Sequence, residues 1–116
     1  MTAKVISLED ERAKRLVARL LDLQTQIDTA ARKLLAGQRV EDRLEDLLDN
    51  VEEVIGQLDQ LAFRLTDTFL RRAIRATTLA HMSWSRARLG SEEERTAAAK
   101  YLESVDALAK VTRSLG

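Results

Sequence analysis

The chain has 116 residues, with 19 basic and 19 acidic side chains and a formal net charge of zero. That length holds one domain with a core but no roomy catalytic cleft, and the neutral balance argues against a protein that coats nucleic acid. Cysteine is absent, which excludes disulfides and thiolate metal sites. So is proline, while Ala, Leu, Arg and Glu abound, a composition of long helices.

Residues 1–7, "MTAKVIS", read as a short tail, too polar and too brief for a secretory leader, and no apolar run approaches the roughly 20 residues of a membrane span. A cytoplasmic protein without membrane contact is expected. The first helix is predicted over 8–36. Ser7 would cap it, Glu9, Asp10 and Glu11 would favour its positive end, and Gly37 would close it in a left-handed conformation. Its apolar positions Ala13, Leu16, Leu20, Leu23, Ile27, Ala30 and Leu34 alternate in steps of 3 and 4, the seam of a coiled coil or bundle.

A second seam runs Val40, Leu44, Leu47, Val51, Val54, Leu58, Leu61, Leu65, with Leu48, Ile55, Ala62 and Phe69 in a row beside it. Two seams joined at one glycine predict an antiparallel αα-hairpin. Past Leu65 the steps of four through Phe69 and Ala73 read as a stutter, and Thr66, Asp67 and Thr68 bring neither glycine nor proline. The expectation is therefore one long central helix over 39–89. At 1.5 Å per residue it would be about 77 Å long, too long for a compact monomer of this size. The alternative is a break near 66–68, giving an up-down four-helix monomer.

The last helix is predicted over 91–115. Gly90 precedes "SEEE", in which Ser91 and Glu94 form a capping box, and the seam is Ala98, Tyr101, Val105, Leu108, Thr112, Leu115. The whole is expected to be a single all-α domain, a helical bundle or coiled coil whose long helix is flanked by antiparallel neighbours.

Charge is segregated along this frame. Residues 38–67 carry nine acidic and three basic groups, whereas 68–91 carry five arginines and no acid. Arg71, Arg72, Arg75 and Arg86 fall within an arc of about 100° on a helical wheel, together with Leu79, Met82 and Leu89. The opposite side, with Phe69, Ile74, Thr77, His81 and Trp84, should meet the last helix, and Arg88 could lie over the Trp84 ring. If two copies paired antiparallel about a point near Arg64, Asp42 would approach Arg86 and Glu53 would approach Arg75 of the other copy. Leu48, Ile55, Ala62, Phe69, Asp42 and Glu53 are then the candidate oligomer interface.

Chemistry is poorly served. "LAHMSWSRA" (79–87) places the only histidine beside Trp84, without the lysine and small residues that usually follow a phosphotransfer histidine. The acidic stripe Asp42, Asp46, Asp49, Glu53 lacks the Glu-x-x-His pairs of a di-metal bundle. No catalytic residue, metal or cofactor is expected. The sequence reads as a non-catalytic, homo-oligomeric helical adaptor or chaperone-like protein that binds a protein partner. The alternative is a sequence-tolerant nucleic-acid accessory factor, acting in DNA processing or packaging, that uses the basic helix 71–88. In either case Arg71, Arg72, Arg75 and Arg86 are the candidate contacts.

Overall fold

A computed structural model describes residues 8–88 and 90–114. The expected cap Ser7, the tail 1–7, Leu89 and the seam residue Leu115 lie outside the described residues. The described residues form four helices, α1 (Leu8–Leu35), α2 (Glu41–Ala62), α3 (Thr68–Arg86) and α4 (Glu92–Ser114). Three connections of five residues each (36–40, 63–67, 87–91) join them, and links that short place consecutive helices antiparallel. Around the bundle α1 packs on α2 and α4, and α3 packs on α4 and α2. The α1–α2 and α3–α4 pairs are the closer ones, and the α2–α3 and α1–α4 seams are looser. The particle measures 57 × 25 × 20 Å.

The ends of α1 follow from sequence. Three acids occupy its first turn. At its C-terminus Gly37 takes φ +88°, the Gly37 N–H bonds Leu34 O at 3.0 Å, and the Gln38 N–H bonds Lys33 O at 3.0 Å. That is a Schellman closure, in which the left-handed glycine satisfies carbonyls the helix leaves open. At the other glycine turn, Gly90 takes φ +78°. The Ser91 hydroxyl then accepts the Glu94 N–H at 3.1 Å, and the Glu94 carboxylate accepts the Gly90 N–H at 3.4 Å. The cap is as expected, with the glutamate reaching one residue further back than in the usual box.

The long helix over 39–89 is not formed. Helix α2 ends at Ala62, where the Arg64 N–H bonds Leu61 O and the Leu65 N–H bonds Ala62 O in a tightening turn. Leu65 is buried and anchors the connection. Asp67 then adopts an extended backbone and its carboxylate accepts the Leu70 N–H at 2.8 Å, so it caps α3. The steps of four had placed Phe69 on the apolar row, yet Phe69 is 73% exposed and Leu70 is buried in its place. A one-residue shift of register at the break lets Leu70 and Ile74 turn into the core. The Thr66 hydroxyl also reaches the buried Asp10 carboxylate at 3.5 Å, joining the start of α1 to this connection.

One core runs through the bundle, with Val17, Leu20, Val51, Leu58, Leu70, Ile74, Tyr101 and Leu108 fully enclosed. Thr77 sits among them, its hydroxyl 2.8 Å from Ala73 O and 3.3 Å from Ser104 O. Its single proton is therefore shared between its own helix and α4, leaving no buried hydroxyl unanswered there. No described helix is long and apolar enough to cross a membrane.

Candidate docking face and aromatic cleft of helix α3

Helix α3 is the element on which the candidate residues converge, because its two sides differ in kind. Leu70, Ile74, Thr77 and Thr78 turn inward. The other side exposes Arg71, Arg72, Arg75 and Arg86 around Leu79 (55% exposed) and Met82 (40% exposed). The arginine arc is thus an outer face, with apolar side chains set between the charges. Arg75 alone is neutralised, its Nη1 lying 2.6 Å from the Asp59 carboxylate of α2. Among the described residues Arg71, Arg72 and Arg86 form no ion pair.

The expected cross-copy pairs need an unbroken helix 39–89, and the break at 63–67 removes that geometry. Asp59 of the same chain takes the place assigned to Glu53 opposite Arg75. Of the candidate interface row, Ile55 and Ala62 are buried within the chain's own core, Leu48 is 37% exposed and Phe69 lies open. Asp42 and Glu53 are exposed on α2. Most of the apolar row of α2 packs within the chain, while Leu48 stays partly open.

On the inner flank of α3, three rings pack together. Trp84 stacks on Tyr101 of α4 with centroids 5.2 Å apart and planes at 25°, and His81 stands edge-on to both, at 6.1 Å from Trp84 and 5.6 Å from Tyr101. Helix α3 ends at Arg86, so Arg88 lies past its last turn and the expected helical spacing from Trp84 to Arg88 does not exist. Tyr101, which the sequence placed only as one seam residue, is the largest fully buried side chain. Its hydroxyl donates to Gln24 Oε1 of α1 at 3.4 Å.

Above these rings an open cleft of about 380 Å³ is lined by Leu48, Asp49 and Glu52 of α2, His81, Trp84 and Ser85 of α3, and Glu94 of α4. Burial lowers the His81 pKa from its ordinary 6.5, and the Glu52 carboxylate offsets part of that shift. Burial likewise raises the Tyr101 phenol. Sequence periodicity had no means of grouping Glu52, Glu94 and His81, since they come from three helices and meet only once the chain breaks at 63–67. Among the described residues no three His, Asp or Glu side chains come close enough to hold a metal ion.

No protein-family model, curated protein or solved structure compared with the chain matches it.

Proposed function

We propose that the chain is a non-catalytic helical adaptor that docks another protein on the outer face of α3. The observation that carries this reading is the composition of that face: Arg71, Arg72 and Arg86 without counter-ions, interleaved with exposed Leu79 and Met82. Guanidinium groups give bidentate contacts to carboxylates, and desolvated leucine and methionine supply the apolar centre that protein interfaces favour. The matching partner is an acidic amphipathic helix, whose apolar stripe would cover Leu79 and Met82 while its flanking carboxylates meet the arginines.

Nucleic acid is the second reading, favoured by the same three unneutralised arginines, which could release counter-ions from phosphates. Leu79 and Met82 separate the readings, because a phosphate track has no use for them. Phe63 and Phe69, at the α2–α3 connection and 78% and 73% exposed, are candidate contacts for the homo-oligomer.

The test uses two variants, Arg71→Glu/Arg72→Glu/Arg86→Glu and Leu79→Ser/Met82→Ser, in binding from host extract and in a salt titration on DNA. A protein retained by the parent chain and lost by both variants supports docking. Salt-steep DNA retention lost only by the arginine variant favours the second reading. A partner retained by both variants contradicts the assignment of this face.

A further inference from the structure

The cleft over His81 and Trp84 lies on the other flank of α3 and has a different chemistry from the arginine face. We propose that it is a binding site for an alkylammonium group, supplied either by a free polyamine or by a lysine side chain of another protein. The proposal starts from the wall. Trp84 is held by its stack on buried Tyr101, and His81 is fixed edge-on to both rings, so the aromatic surface is rigid before any ligand arrives. Leu48 adds an aliphatic patch beside it. Such a surface suits methylene groups and, through the ring quadrupole, a positive head near the indole face.

The rim fixes the sign of the charge. Asp49 and Glu52 come from α2 and Glu94 from the first turn of α4, while among the described residues no lysine or arginine lines the cleft. Asp49 and Glu52 form no ion pair among the described residues, and Glu94 is engaged only by the Gly90 N–H at 3.4 Å. Three carboxylates around an aromatic wall repel an anion and are wasted on a neutral apolar ligand. They are also too widely spaced for a single metal ion. A cation with a carbon body of its own satisfies both the rim and the wall, and a volume of about 380 Å³ admits a chain with more than one ammonium group.

Trp84 is the only tryptophan, so its emission reports the cleft without a label. The experiment titrates the full chain with spermidine, with an N-acetylated lysine-containing tripeptide amide, and with magnesium chloride at matched ionic strength. A saturable change in Trp84 emission with spermidine or the tripeptide is expected. In Asp49→Asn/Glu52→Gln, with an unchanged far-UV circular dichroism spectrum, binding should weaken by about tenfold or more. Saturation by spermidine alone assigns a free polyamine, and saturation by the tripeptide assigns a lysine side chain. The proposal is overturned if neither probe saturates, if magnesium produces the same change, or if the variant binds as well as the parent chain. Glu52→Gln alone serves as the variant should the double substitution lose helical signal.

Discussion

Asp67 gives the sharpest handle on the fold, because the two architectures that the sequence permits respond to its removal with opposite sign. In the four-helix bundle its carboxylate accepts the Leu70 N–H at 2.8 Å and caps α3. Asp67→Ala leaves that donor at the start of a helix whose first turn carries no other acid. Loss of an N-cap costs about 1 kcal/mol, within a range of roughly 0.5–2. In a domain of this size that lowers Tm by about 4 °C. In an unbroken helix 39–89 the same aspartate would be an interior residue of poor helix propensity, and alanine would stabilise by about 0.5 kcal/mol. Asp67→Asn is the control, since asparagine caps nearly as well as aspartate. Thermal and urea melts followed by far-UV circular dichroism decide the matter. An Asp67→Ala protein as stable as the parent, or more so, would refute the break and the bundle built on it.

Other expectations follow from the same packing. Tyr101→Ala should cost about 3–5 kcal/mol in urea denaturation, the range for emptying a large core site, and Trp84→Ala should cost less because Trp84 is only partly enclosed. Arg75→Ala should cost no more than about 1 kcal/mol, since its pair with Asp59 is half open to solvent. His81 has a folded pKa below its unfolded value of 6.5, so below 6.5 the unfolded chain binds the extra proton first and stability falls as pH falls. His81 faces Asp49 and Glu52 from α2 and Tyr101 and Glu94 from α4. Urea melts from pH 7.5 to about 5.5, above the ordinary carboxylate range, should therefore show a slope that His81→Gln flattens; an equal slope in the variant would place the titration elsewhere.

How far the sequence could be read depended on whether a signal was local. Gly37, Gly90, Ser91 and the acidic first turns act through backbone groups within a few residues, and α1 and α4 appear where those signals put them. The seams were equally legible, and Leu20, Val51, Leu58, Tyr101 and Leu108 are all buried. The α2–α3 break was hidden because Thr66, Asp67 and Thr68 bring neither glycine nor proline, and Asp67 acts as a cap only through the Leu70 N–H that its carboxylate accepts. Phe69 also prolonged the apolar row one residue short of Leu70, the side chain that enters the core. Of the candidate site, the arginine arc follows from the 100° geometry of one helix and needs no tertiary information. The Arg75–Asp59 pair and the cleft of Glu52, His81 and Glu94 depend on how three helices pack, and that is set by the break.

Small-angle scattering on the purified chain is the decisive measurement, since the proposed docking role of the α3 arginine face rests on the chain folding back at 63–67. At the dilution where the particle has the mass of one chain, the bundle predicts a radius of gyration close to the 15.5 Å of its Cα trace and a longest dimension near 57 Å before hydration is added. A one-chain particle of about 77 Å or more, the length of an unbroken helix 39–89, would contradict it.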